Sequence, residues 1–303
     1  MILVIGVTGH SGSWFLKRLI QEQYTGRIRC VVREHSDTSL IDGSPLNIEK
    51  AVGDVGDDAF LDVIMQGVDT VLHIAGIYLS EKVAEAAIRH GVKWLILVHT
   101  TGRYSKYKSA SAGYARVEDA ILAMRDRIAV TVLRPTMIYG SSRDANMYKL
   151  IDFLYRHRFF PVFGRGDNLM QPVHARDLGD SYYDVLTHPE ATMNREYNLS
   201  GKEPIRYIDI LRTVSAALPR RNVFIRLPMA LSLMAAKIYC KIWKDSALVN
   251  VEQVMRMNED KVFPHDDAAR DFGYSPMRFQ DGIVGEVRQY LSEVCPPQNG
   301  EGL

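Results

Sequence analysis

Short apolar runs alternate with amphipathic stretches through the first 135 residues. Residues 2–6, 27–32, 49–53, 69–74, 94–99 and 129–133 read as strands. Between them, residues 13–22, 59–65, 80–90 and 113–126 repeat their apolar positions at helical spacing. The strand runs are apolar rather than alternating, as in parallel strands covered on both faces. Repeated β-α units predict an α/β fold, a Rossmann doubly wound parallel sheet with right-handed crossovers.

Beyond residue 135 the pattern is less regular. Helices are expected at 146–158, from 177, and at 207–218, 229–244, 249–257, 266–272 and 280–294. Short extended segments fall at 171–174, 197–199 and 223–227, and residues 296–303 read as a frayed tail. The chain is therefore expected to divide into residues 1–135, with segments near 171–188 returning to that part, and residues 136–295 as a smaller interwoven C-terminal lobe.

The first strand runs into Gly6-Val7-Thr8-Gly9-His10-Ser11-Gly12, which opens the first helix. Glycines at this spacing let the backbone turn tightly and approach a pyrophosphate, which then rests on the helix N-terminus. A bare tight turn is the plainer reading, but the strand before and the helix after favour a dinucleotide. At the end of the second strand an acidic residue would accept hydrogen bonds from the ribose of NAD. Arg33 stands there instead, and a guanidinium suits a 2′-phosphate, so NADP is expected and NAD remains open. Glu34 weakens that preference, a solvated surface Arg is the plainer alternative, and Ser36 and His10 are secondary phosphate candidates.

These features resemble the short-chain dehydrogenase/reductase superfamily, in particular its extended and atypical branch, the NAD-dependent epimerase/dehydratase family. The likeness runs along nearly the whole chain. Gly6 to Gly12 resemble the cofactor loop, and Gly53-Asp54-Val55 the segment whose Asp meets the adenine. His73-Ile74-Ala75-Gly76 resembles the segment beneath the cofactor, and Arg134-Pro135-Thr136-Met137-Ile138-Tyr139-Gly140 the signature near the nicotinamide. The stretches 172–178, 197–201 and 272–276 resemble later landmarks. The resemblance implies cofactor contacts from Gly6, Thr8, Gly9, His10, Ser11, Gly12, Arg33, Asp54, Val55, Ala75, Gly76, Pro135 and Thr136. It also implies a small-molecule substrate and a homodimer formed through the two longest sheet-covering helices.

The resemblance further implies a Ser or Thr that orients the substrate, a Tyr acting as acid or base, and a Lys one helical turn later. Thr101 (or Thr100) and Tyr114 match the first two. The Lys position holds Glu118. A carboxylate there is a like-charge neighbour for a phenolate, and it can accept from ribose hydroxyls but not donate to them. On the plainer reading Tyr114, Val117, Ile121 and Leu122 form a packing stripe while Arg116, Glu118 and Asp119 face water. The Tyr104 to Lys108 spacing reads as a chance match in a loop, though Lys106 or Lys108 could fold back to replace the charge.

Composition narrows the remaining classes. Of 303 residues 47% are hydrophobic and 24% charged, which excludes a disordered or disulfide-built chain. Lys and Arg total 37 against 36 Asp and Glu, for a net charge of +1, so no nucleic-acid footprint is expected. Cys30, Cys240 and Cys295 have neither metal nor disulfide spacing, which predicts no metal and a reducing cytoplasm. Met1 runs directly into an apolar strand, so no signal peptide is expected. The apolar stretch 227–236 is too short to span a bilayer, and its Met residues suit a core, a substrate cleft or a membrane surface. The best expectation is an NADP-binding oxidoreductase or epimerase-like protein acting on a small carbonyl or alcohol. The alternative is a non-catalytic NADP-binding sensor, assembly factor or scaffold, motivated by Glu118. A nucleic-acid or membrane-associated module has only local support.

Overall fold

The computed structural model describes residues 1–144, 146–231, 233, 234 and 255–295. The chain forms two compact units. Unit 1 comprises Met1–Thr136, Ala175–Ser200 and Phe263–Pro276, and unit 2 comprises Met137–His174, Gly201–Val262 and Met277–Leu303.

Unit 1 is built on seven parallel strands. They are β1 (Ile2–Ile5), β2 (Ile28–Val32), β3 (Ile48–Val52), β4 (Thr70–His73), β5 (Trp94–Val98), β6 (Ala129–Pro135) and, after two short strands of unit 2 and others, β11 (Glu196–Leu199). Their order is β11-β6-β5-β4-β1-β2-β3. The order reverses beside β1, where doubly wound sheets place their ligands. Strands β1 and β5 are wholly apolar, as expected, and β2, β4 and β6 are largely buried although each carries one or two polar residues, because helices cover both faces. The edge strand β3 departs from that expectation: its Glu49 and Lys50 are exposed, and Arg29 of β2 donates to Glu49 at 3.0 Å. Charge on an open edge also discourages pairing with another chain.

Helices α3 (Asp58–Ile64), α4 (Ser80–Arg89) and α5 (Lys108–Leu122) bury Leu61, Val83, Ala87, Val117 and Ile121 against Leu3, Val71, Leu95 and Val130. Helices α1 (His10–Gln21) and α7 (Ala175–Thr187) pack on each other. Gly179 makes that approach close: a Cβ there would lie 2.5 Å from the Phe15 amide nitrogen and 2.5 Å from the Trp14 Cβ.

The expected return of chain near 171–188 is displaced. It runs over Ala175–Ser200, and a further segment, Phe263–Pro276, also joins unit 1. The reason lies at the sheet edge. Strand β11 pairs with β6 from Glu196↔Val132 to Leu199↔Pro135, and helix Asp266–Phe272 packs over it. Tyr197 meets Phe272 edge-on at 5.0 Å, and Tyr274 donates to the Ser200 carbonyl at 3.0 Å.

Unit 2 packs helices α6 (Met147–Arg156), α9 (Tyr207–Ala217) and Phe279–Val294 around Ile151, Leu154, Ile210, Val214 and Ile283. Strand β7 (Ile138–Tyr139) pairs with β10 (Val173–His174), and β8 (Phe159–Phe163) pairs in parallel with β13 (Val223–Leu227). The pattern missed β8 because Pro161 interrupts it, a residue tolerated where a strand has only one partner. The helices expected at 229–244 and 249–257 and the tail at 296–303 lie wholly or mostly outside the described residues. Among the described residues no helix is long and apolar enough to cross a membrane.

Gly179→Ala should destabilise the protein by roughly 1–3 kcal/mol through overpacking at the α1–α7 contact. Thermal unfolding followed by circular dichroism would register this as a lowered midpoint.

Candidate functional site

The glycine loop leaves β1 with Gly6 at φ +93°, where a Cβ would lie 2.9 Å from the Ala75 Cβ. Gly9 then stands at the N-cap of α1, with no side chain capping the helix. A helix N-terminus without a side-chain cap is a setting that suits an anion. Gly12 has a different task. A Cβ there would lie 2.1 Å from the Gly6 carbonyl oxygen, so this glycine lets the helix close onto the strand and does not line the cavity.

The cavity in front of the loop measures about 400 Å³. Gly6, Thr8, Gly9, His10 and Ser11 line one part, Arg33 and Ser36 a second, and Asp54, Val55, Ala75 and Gly76 a third. All of these come from the ends of β1, β2, β3 and β4 that face the switch in strand order. Arg33 is exposed and makes no ion pair among the described residues, while its amide donates to Ser36 Oγ at 3.1 Å. Asp54 lines the cavity and accepts from the Gly56 amide at 2.9 Å through one carboxylate oxygen, which fixes the turn. A negatively charged, elongated ligand with an adenosine end fits these groups.

Two supporting roles were not read from the sequence: Tyr182 was not singled out, and His73 was named only within the segment beneath the cofactor. Tyr182 of α7 is fully buried and donates to Ser11 Oγ at 3.1 Å. With that lone pair used, the Ser11 proton is free to turn toward an anion in the loop. His73 closes β4 and donates through Nε2 to the Gly76 carbonyl at 3.3 Å, pinning a glycine held at φ +71°. Burial pushes the His73 ring down to about 4, more than the Gly76 bond raises it, so the ring stays neutral. The Tyr182 role shows only through contact with a distant segment, and the His73 role only through the local fold of the Gly76 turn.

The residues expected to carry chemistry are divided. Thr101 is buried and donates to the Pro135 carbonyl at 3.2 Å. Thr100 accepts from the Gly102 amide at 3.0 Å. Helix α5 begins at Lys108 rather than at 113, so Tyr114 lies inside it and not at its start. The Tyr114 ring covers Gly102, where a Cβ would come within 3.2 Å of the ring, and it stacks on Tyr78 at 5.8 Å. Pro135 and Thr136 are buried at the end of β6 and do not line the cavity; the Thr136 amide donates to the Leu199 carbonyl at 3.2 Å. Tyr139, from the same signature, belongs to unit 2 and packs against His174 and Phe279, each at 5.1 Å.

Glu118 corrects the expectation of a water-facing charge. Its side chain is completely buried. Arg134 donates to Oε1 through Nε at 2.8 Å and Nη2 at 2.5 Å, and Arg103 binds the same oxygen. His99 Nδ1 donates to Oε2 at 2.9 Å, and Ser80 Oγ faces the other ring nitrogen at 3.2 Å. Arg134 continues to Glu196 of β11, which also holds Arg125 at 2.9 Å. Burial alone would raise the Glu118 carboxyl, but the His99 and Arg134 hydrogen bonds outweigh it and hold it down at about 2. The residue at the Lys position is thus an internal ion-pair centre, with its oxygens already engaged. The signal for it in the sequence was the pair His99 and Arg134, each at the end of a buried strand.

Comparison with known proteins bears on this geometry. Residues 2–133 match the family model of the saccharopine dehydrogenase NADP binding domain. The first part of the chain is an NADP-binding domain. A ceramide reductase from Caulobacter vibrioides (strain NA1000 / CB15N) is 22% identical over 281 residues, covering 88% of this chain and 85% of that protein. Among solved structures, the Citrobacter sp. triphenylmethane reductase complexed with NADP(H) superposes with a TM-score of 0.71 at 19% identity, covering 93% of this chain and 98% of that one. The UDP-glucuronic acid 4-epimerase of Bacillus cereus in complex with NAD gives 0.72 at 15% identity, with 96% of each chain covered. These likenesses establish the Rossmann-type fold that the resemblance implied, and the expectation of NADP agrees with the domain match.

Glu118→Ala would leave Arg134 and Arg103 buried without their carboxylate, at a cost of about 3–5 kcal/mol. Calorimetry should show the fall in Tm. Glu118→Lys adds a third cation and should unfold unit 1 rather than complete a Tyr-Lys pair; circular dichroism separates these outcomes. Because the folded carboxyl lies below its ordinary value of 4.5, its stabilisation is complete above that pH and is lost as pH falls toward about 2. Acid titration of stability should lose that slope in Glu118→Ala.

Proposed function

We propose that the protein is an NADP-dependent oxidoreductase that reduces a small carbonyl group, with Tyr114 as the proton donor. The observation carrying this reading is one cavity of unit 1, which joins the α1 N-terminus without a side-chain cap, the Ser11 hydroxyl and an Arg33 that has no ion pair among the described residues. In this reading Gly6, Thr8, Gly9, His10 and Ser11 hold the pyrophosphate. Arg33 and Ser36 take the 2′-phosphate, Asp54 and Val55 the adenosine end, and Ala75 and Gly76 support the ligand from below. Gly12, Pro135 and Thr136 act through packing.

NADPH, when bound, supplies the hydride. Tyr114 supplies the proton at its phenolic oxygen. Thr101 has already donated its hydrogen to Pro135, so it serves as an acceptor that positions its neighbours. With no lysine one turn after Tyr114, α5 offers no cation there to help deprotonate a phenol. In this reading the Tyr114 hydroxyl gives its proton to the carbonyl oxygen as the hydride reaches the carbon. The name of the Caulobacter relative supports the same direction.

A second reading is a non-catalytic NADP-binding protein. Its support is Glu118, engaged by His99, Arg134 and Arg103 and so unable to assist at a ribose.

Turnover of NADPH against a panel of aldehydes and ketones decides between the two. Tyr114→Phe should lower kcat by about 100-fold or more while leaving NADPH affinity unchanged. NADPH binding without consumption on any carbonyl would establish the second reading. Arg33→Ala should weaken NADPH by about tenfold and NADH little, as titrated by nucleotide fluorescence. Equal losses would remove Arg33 from the 2′-phosphate.

A further inference from the structure

Strands β8 and β13 form a parallel pair whose register places Val223 opposite Phe159, Ile225 opposite Pro161 and Leu227 opposite Phe163. Side chains alternate along a strand, so these six apolar residues share one face. The opposite face has its covering: Val162 packs with Ile208 and Leu211 of α9, and Phe160 and Phe224 join them. The first face lies toward solvent, with Phe159 56%, Val223 44% and Ile225 46% exposed. A two-stranded sheet that is apolar on both sides but covered on one is not explained by scattered surface hydrophobics.

Charge identifies what covers it. The whole chain carries a net charge of only +1, yet between Asp209 and Asp245 it has seven basic residues and no acidic one. Because the strands are parallel, both begin at the same end. Arg158 immediately precedes β8, and Arg220 and Arg221 precede β13. The arrangement is braced: the Val223 amide donates to the Arg158 carbonyl at 2.8 Å, and Asn222 Nδ2 donates to the Leu154 and His157 carbonyls, both at 2.7 Å. Arg220 donates to the Arg156 carbonyl at 3.1 Å. Among the described residues Arg158, Arg220 and Arg221 have no carboxylate partner, and the nearby Asp152 is occupied by Arg156 at 2.7 Å.

We propose that this face of unit 2 docks on an anionic phospholipid surface. Phe159, Val223 and Ile225 enter the interfacial region, and Arg158, Arg220 and Arg221 meet lipid phosphates. An apolar face rimmed by cations of one sign matches a surface with an apolar interior and anionic headgroups. Neither a neutral apolar partner nor a second copy of the same cationic face supplies that charge. The membrane is met from outside, so a short apolar face suffices where a span would need far more. The proposal does not rest on hydride transfer and survives if the protein proves non-catalytic.

Cosedimentation of the full chain with vesicles tests it. The protein should pellet with phosphatidylcholine vesicles containing phosphatidylglycerol and remain largely in solution with phosphatidylcholine alone, and added salt should release it. Arg158→Glu with Arg221→Glu should lower partitioning on the order of tenfold or more. Ile225→Ser with Phe159→Ser should lower it at fixed charge. Both variants should keep wild-type unfolding and NADPH titration, because neither alters the unit 1 cavity. Absent binding, equal binding to neutral and anionic vesicles, or binding unchanged in both variants would overturn the proposal. So would a dimer in light scattering that Ile225→Ser converts to monomer, which would make the face a self-association surface.

Discussion

A carboxylate enclosed by a protein core needs compensation on the spot, and Glu118 obtains it from three directions. His99 ends β5, Arg134 lies near the end of β6, and Arg103 follows the loop after Thr101. Through Arg134 the network reaches Glu196 on β11. The position where relatives of this sequence type would carry a lysine is therefore part of what sets the mutual placement of three strands and α5. Such an arrangement is costly to break from one side, because the buried Arg134 would keep only Glu196 as its counter-ion. Its worth lies in geometry: it fixes the loop from Thr100 to Tyr104 and, with it, the Gly102 surface on which Tyr114 rests.

The dinucleotide cradle depends on a different constraint, close backbone approach. Gly12 allows α1 to meet the Gly6 carbonyl, and Gly179 allows α7 to meet α1. Tyr182 can then reach Ser11 from behind. The anion-facing hydroxyl is thus oriented by a residue far along the chain, through two helices that touch because their contact residues are small. Cavity shape and hydrogen-bond direction come from the same packing.

Much of this was legible in the residues. Apolar runs marked most strands of the sheet, and Gly6, Gly9 and Gly12 marked the tight turn between β1 and α1, since such signals act over a few adjacent positions. The plainer reading of α5 turned Glu118 toward water, because helical periodicity places a residue on a helix but does not say what approaches from other strands. Residues 266–276 were read as a helix and a landmark, but not as a return to unit 1, because Tyr274 and Phe272 acquire that meaning only beside Ser200 and Tyr197. Strand β8 was lost because Pro161 breaks the apolar signal while the β13 partner lies more than sixty residues on.

The interleaving of unit 1 also has a temporal side. Its sheet is not complete when residues 1–136 have been made: Glu196 and the β11 edge arrive later, and the helix that covers that edge later still, ending at Phe272. A nascent chain emerging from the ribosome must therefore carry an open β6 edge, and an Arg134 that has Glu118 but not yet Glu196, while unit 2 residues are being synthesised between them. Long-range pairing of this kind is slow to form and exposed to misassembly. For this protein, folding of the cofactor domain is coupled to synthesis of almost the entire chain.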